Sequence, residues 1–184
     1  IALSISTILW ADMPNRYIWA VLFVSIAFGF IGFLDDFLKI RHGSSSGLSS
    51  GLKLLIQMFF GFAVTYIIVG LFEPSMKNSL SVPFFKDFII DLGWFFFPFS
   101  VLVIVGASNA VNLTDGLDGL AIVPVMIAGG CFALIAYLVG NIVFSNYLQI
   151  PYIEGTGEAS IFCGAIIGSC LGFLWFNAPP AKIF

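Results

Sequence analysis

The sequence predicts an all-α, polytopic transmembrane helical bundle, with about five full spans plus one truncated N-terminal span, in a single integral-membrane domain over residues 1–184. Three observations predict it. Of the 184 residues, 60% are hydrophobic and 9% charged, a balance that water-soluble classes do not reach. The apolar residues fall in runs close to the ~20 that a helix needs to cross a hydrocarbon core. Finally, 22 Phe stand against 7 Lys+Arg, which suits a surface meeting acyl chains and argues against nucleic acid, whose footprint is a basic patch.

The first run, residues 1–11, is ended by Asp12-Met13-Pro14-Asn15-Arg16, whose Pro and Asn are turn residues. The second, about 17–34, closes on Asp35-Asp36 and leads into a charged loop. There Arg41-His42-Gly43-Ser44-Ser45-Ser46-Gly47 is flexible by composition, and His42 is read as solvated. The third run begins after Lys53 and stops near Phe72, at Glu73-Pro74. Residues 75–87, with Val82-Pro83-Phe84-Phe85, are too short to cross and apolar enough to lie in the interface. Asp91 marks the start of the fourth, about 92–107; the fifth covers about 121–139, and an exterior loop over 140–158 precedes the sixth at 159–177.

Gly164, Gly168 and Gly172 recur at four-residue steps in the last run, a small-residue ridge expected to let another helix approach. Gly29, Gly32, Gly129 and Gly130 are read in the same way. Cys131, Cys163 and Cys170 lie in apolar stretches with no CxxC pair and no neighbouring His, so buried free thiols are expected and a metal site there is not. The start in mid-hydrophobic run, without a charged n-region or cleavage site, excludes a secretory signal, and both ends read as cut.

If each run crosses once, counting spans fixes relative sidedness. Asp35-Asp36, the stretch 109–119 and Asn177 then share one face. The loops of that face hold Lys39, Arg41, Lys53 and Lys182 against Arg16, Lys77 and Lys86 opposite, a positive-inside vote of four to three for the cytoplasm.

That shared face carries the chemistry. A carboxylate at the bilayer centre costs about 2.5–3.5 kcal/mol on insertion scales, so Asp35 and Asp36 abutting a span call for a reason. Adjacent carboxylates repel unless a cation or proton sits with them, and Lys39 lies three and four residues on. An interfacial anchor with an intrahelical ion pair is the competing account. Asn109, Asn112, Asp115 and Asp118 recur every third residue, a stripe able to face a cavity if the helix continues. Gly116 and Gly119 open space between them for a bulky phosphorylated ligand. The competing account is a polar loop with Asp118 capping the next helix. Together the face offers Asp35, Asp36, Asp115, Asp118, several amides and two lysines beside hydrocarbon. This suits a substrate joining a diphosphate to a lipid, with Mg²⁺ held by carboxylates and phosphate neutralised by Lys39 and Lys53. Neither a P-loop nor an HExxH motif occurs.

These motifs resemble the phospho-N-acetylmuramoyl-pentapeptide transferase family across the whole chain. The residues that carry the likeness are Phe33-Leu34-Asp35-Asp36-Phe37-Leu38-Lys39, Gly47-Leu48-Ser49 with Lys53, Val82-Pro83-Phe84-Phe85-Lys86, the specific run Asn109-Ala110-Val111-Asn112-Leu113-Thr114-Asp115-Gly116-Leu117-Asp118-Gly119-Leu120-Ala121, and Phe173-Leu174-Trp175-Phe176-Asn177 with Pro180-Ala181. The wider superfamily of polyprenyl-phosphate sugar-1-phosphate transferases shares the paired Asp and a related Asn/Asp/Gly run, so a UDP-N-acetylhexosamine substrate is the nearest alternative.

The resemblance implies a Mg²⁺-dependent transfer of phospho-N-acetylmuramoyl-pentapeptide from UDP to undecaprenyl phosphate, with release of UMP. This is the first membrane step of peptidoglycan synthesis, and hence part of cell-wall biogenesis, cell shape and cell division, at the bacterial inner membrane. By motif position Asp35, Asp36 and Asp115 are implied as catalytic, with Asp35 acting on the lipid phosphate. Lys39, Lys53, Asn112, Asp118 and Asn177 are implied to bind substrate, Asp115 to touch the metal, and a homodimer suits the family. The family pattern continues beyond Phe184 into a Met-Gly-Asp motif whose Asp is a principal Mg²⁺ ligand, and then a histidine-rich loop. Its first span and a Gly-rich segment have no counterpart here, and Gly51 stands where many members have a basic residue. The 184 residues alone are therefore expected to bind Mg²⁺ poorly and to be inactive. A cation-coupled transporter is the rival of another class, since intramembrane carboxylates also mark ion paths. The acids, however, gather at one interface rather than the midplane, and no inverted repeat is visible.

Overall fold

The structure, a computed structural model, describes residues 1–42, 47–74, 76–82, 88–114 and 120–177, except the side chains of His42 and Asn177. Its helices are α1 (Ala2–Trp10), α2 (Arg16–His42), α3 (Ser50–Leu71), α4 (Phe96–Thr114), α5 (Ile122–Val139), α6 (Ile142–Leu148) and α7 (Ala159–Asn177). Five stretches are long and apolar enough to cross a membrane: 16–41, 50–71, 93–114, 122–139 and 156–176. In hydrocarbon, backbone polar groups must be satisfied within the segment, which a helix does and an open strand does not. The multi-pass helical architecture read from the apolar runs is therefore the one observed.

The described residues form two compact units, Ile1–Val21 with Ser108–Phe184, and Leu22–Ala107. In the first, α5 and α1 both pack on α7. Gly129 permits the α5–α7 approach, since a Cβ there would stand 3.4 Å from Ile167. The polar ends are stitched by single hydrogen bonds. Asp12 N–H donates to Glu158 Oε2 at 2.9 Å and Asn15 Nδ2 to the Gly155 carbonyl at 2.7 Å. Gly140, just after α5, runs so close to Gly157 that a Cβ would strike that residue's backbone.

The second unit sets α3 against the start of α4. Gly61 faces Val101 and Val105, each 3.7 Å from a Cβ placed there. Phe62 lies against Phe97 and Phe23 against Phe60, with ring centroids 5.4 and 5.9 Å apart. Large apolar side chains such as Phe59 and Leu102 point outward, as lipid-facing residues do.

Several expectations change. The segment read as interfacial, residues 75–87, contains a strand the sequence did not suggest: β1 (Ser79–Ser81) runs antiparallel to β2 (Ile89–Asp91), with Leu80 opposite Ile90. The exterior loop contains α6, whose cap Asn141 accepts from Val143 and Phe144 N–H at 3.0 and 3.3 Å. Cys131 is exposed, and Cys163 and Cys170 are only half-buried, so the thiols are free but not enclosed by described residues. An apolar stretch in a membrane protein meets lipid as readily as protein. A Cβ at Gly164, Gly168 or Gly172 would meet no described atom within 4 Å, and the three line a groove of about 610 Å³ shared with Ala2, Ser6 and Trp10 of α1. Gly29, Gly32 and Gly130 likewise meet no described atom within 4 Å.

Candidate active site

The site begins with the last turns of α2. Asp35, at the close of an apolar run, is 7% exposed, while its neighbour Asp36, about 100° further round the helix, has a side chain that is 73% exposed. Lys39 stands one turn on, where both carboxylates can reach it. Its Nζ lies 2.9 Å from Asp35 Oδ2 and 3.0 Å from Asp36 Oδ1, bridging the pair and offsetting their repulsion.

Lys53 comes from the first turn of α3, its backbone N–H bonded to the Ser49 carbonyl at 3.0 Å. Its Nζ reaches Asp35 Oδ2 at 3.3 Å. The other Asp35 oxygen, Oδ1, accepts the Leu48 backbone N–H at 2.8 Å. Asp35 is thus a buried carboxylate satisfied by one amide and two ammoniums, the charge-assisted pairing that burial of an anion demands.

Chemically, this arrangement holds an ionised carboxylate in one orientation beside two flexible cations. The cations can turn to phosphate oxygens, and the carboxylate can attract a proton or a cationic partner. The described residues do not form a Mg²⁺ site. Both Asp35 oxygens are occupied by donors, the exposed Asp36 is paired with Lys39, and no described cluster of three His, Cys, Asp or Glu could hold a metal.

Of the residues read from sequence, the structure brings Asp35, Asp36, Lys39 and Lys53 together. The fourth span was expected to end near residue 107, but α4 continues to Thr114, so Asn109 and Asn112 lie on the helix and Asn112 is exposed. Asp115 and Asp118 lie outside the described residues, as does the Asn177 side chain at the end of α7. Gly47 and the Leu48 amide were missed as site components. Gly47 was read as part of a flexible Ser/Gly stretch and given no role, although Gly47-Leu48-Ser49 with Lys53 is among the motifs that carry the family resemblance.

The glycosyl transferase family 4 profile matches residues 18–184. The phospho-N-acetylmuramoyl-pentapeptide-transferase of Pelagibacter ubique (strain HTCC1062) is 56% identical over 177 residues, covering 96% of this chain and 49% of that protein. The enzyme of the same name from Rhodopseudomonas palustris (strain BisB18) is 56% identical over 183 residues, covering 99% of this chain and 51% of its own. The chain therefore spans about half the length of these curated relatives, and the likeness first seen in short motifs extends along all of it. The profile, matching most of the chain, identifies it as a member of glycosyl transferase family 4.

Proposed function

We propose that this chain carries part of the machinery that transfers phospho-N-acetylmuramoyl-pentapeptide from UDP to undecaprenyl phosphate. The observation that carries the reading is the Asp35 carboxylate held by Lys39 and Lys53 at the polar end of a helix long enough to cross a bilayer. An amphiphilic phosphate brings its charge to that depth and its chain into the hydrocarbon. The names of the relatives supply the transferred group, and the family resemblance implies UDP as its carrier.

In the proposed reaction, an oxygen of the lipid phosphate attacks the β-phosphorus of the UDP-sugar, a new P–O–P link forms, and the bond to UMP breaks. Asp35 keeps the lipid phosphate in its reactive, deprotonated state, and Asp36 supports it through the shared Lys39. Lys39 and Lys53 exchange carboxylate for phosphate oxygens as negative charge moves toward the leaving UMP, the electrostatic stabilisation that dominates such transfers. Asn112 and Asp115 line the reacting region, and Asp118 and Asn177 shape the nucleotide-sugar pocket. Mg²⁺ is the proposed cofactor, with Asp115 as a ligand. Counting one crossing per long helix brings these residues to one face, proposed to be the cytoplasmic face of the bacterial inner membrane, and a homodimer is the proposed assembly.

The test is UMP release by the whole protein in which these residues occur, offered either the muramoyl nucleotide or UDP-N-acetylglucosamine, with Asp35→Asn and Asp115→Asn alongside. Release from the first nucleotide, strongly reduced in both variants, is expected. Release from the second alone would move the assignment to a sister transferase. Near-normal rates in the variants would overturn the catalytic roles.

A further inference from the structure

The Asp35 carboxylate is held by a backbone amide as well as by lysines, and the residue that brings this amide into place has no side chain. Leu48 N–H meets Oδ1 at 2.8 Å, while Lys39 and Lys53 share Oδ2. To deliver that amide, the chain passes directly over Asp35 at Gly47. A Cβ there would collide with Oδ1 and would stand 2.8 Å from the Asp35 carbonyl oxygen and 3.0 Å from Cγ. A rotamer change in Asp35 could clear Oδ1 and Cγ but not the carbonyl, which belongs to the α2 backbone. Gly47 is not among the glycines of positive φ, so it is the lack of space that requires glycine here.

We infer that Gly47 is a positioning residue for Asp35. It lets the Leu48 amide fix Oδ1, so that the carboxylate keeps its orientation when the lysines leave Oδ2 for another anion. The two halves of the carboxylate then have different duties. Oδ1 is tied to backbone, which cannot depart, and Oδ2 is paired with ammoniums on flexible four-carbon stems, which can. Without the amide, withdrawal of the lysines would free the carboxylate to rotate, and a misplacement of about 1 Å at a reacting group can cost about a hundredfold in rate. The catalytic consequence rests on the transfer reading above, whereas the amide latch can be observed without any turnover.

The experiment uses the whole protein in lipid nanodiscs and reads hydrogen–deuterium exchange at the Leu48 amide together with UMP release. Gly47→Ala and Asp35→Ala are both expected to speed Leu48 exchange by about tenfold or more, because the first pushes the amide away from its acceptor and the second removes that acceptor. Gly47→Ala is also expected to lower kcat by about tenfold to a hundredfold, with the KM for the muramoyl nucleotide within about twofold of wild type. Gly51→Ala, at a glycine with no neighbour within 4 Å of a Cβ, is expected to change neither readout. Unchanged Leu48 exchange in Asp35→Ala would overturn the latch, and that variant reads it even where Gly47→Ala fails to fold. A Gly47→Ala protein that exchanges quickly but turns over normally, or that changes only KM, would overturn the positioning role. A wild type with a protected Leu48 amide but no UMP release would sink the transfer reading and leave the latch supported.

Discussion

Two regions of this chain tie polar groups down at the ends of apolar helices, and they do so with different stoichiometry. Around the turns at Asn15 and Gly155 each donor meets one acceptor. Asn15 Nδ2 reaches the Gly155 carbonyl at 2.7 Å, Tyr17 N–H reaches Asn15 Oδ1 at 2.9 Å, and Asp12 N–H reaches Glu158 at 2.9 Å. Around Asp35, two ammoniums converge on a single carboxylate oxygen while an amide holds the other. The first region is a stitch with nothing left over. The second balances two carboxylates, Asp35 and Asp36, with two ammoniums, and those ammoniums, on flexible stems, are the part of it that can turn to an incoming anion.

The comparison breaks most decisively at its centre. Asp35→Asn keeps the shape but removes the charge that Lys39 and Lys53 answer, and it is expected to lower the kcat of UMP release by about 10² to 10⁴, the range for loss of an acid–base group. Asn15→Ala is expected to leave kcat within about twofold and to lower the thermal midpoint instead, since a net hydrogen bond is worth about 1 kcal/mol. Equal losses of turnover in the two variants would erase the distinction between stitch and poised charge. Next in size is Lys53→Gln, expected to lower kcat/KM by about a hundredfold through loss of one cation at the developing charge, with Asp35 still held by Lys39 and Leu48. A Lys53→Gln enzyme with full activity would show that the second ammonium is structural.

Much of this contrast was legible before any coordinates. Apolar runs of bilayer length bound the helices, and the spacing of Asp35, Asp36 and Lys39 puts the ion pairs within one turn. The latch was not legible, because a Ser/Gly-rich run advertises freedom, whereas the hydrogen bond from Leu48 to a residue 13 positions earlier depends on where the returning chain happens to pass. The strand pair was hidden for a related reason. Ser79–Ser81 and Ile89–Asp91 are three residues each, too short for alternation to show. Thiol exposure was misread because hydropathy reports the solvent a residue tolerates and does not separate lipid from protein interior. Asp115 and Asp118 stand on the strength of the motif alone.

The smaller effects test whether the stitched region is structural throughout. Gly140→Ala drives a methyl into the Gly157 backbone, with Cα only 2.6 Å from the new Cβ. It is expected to cost about 1–3 kcal/mol of overpacking, read as a lowered thermal midpoint without a matching fall in kcat. A fall in kcat with an unchanged midpoint would instead make this turn part of the reaction.

The smallest expected effect belongs to Asn141. Its side chain answers two orphan N–H groups of a helix only seven residues long, Ile142–Leu148, which has little else to nucleate it. Asn141→Ala should cost about 1 kcal/mol and Asn141→Gly only a few tenths, because glycine leaves the cap position open to water and costs little there. The ordering of those two thermal midpoints, with UMP release the same in both, tests the cap itself. If the glycine variant is the less stable, the side chain acts through backbone stiffness and not as an acceptor, and the capping account of this turn fails.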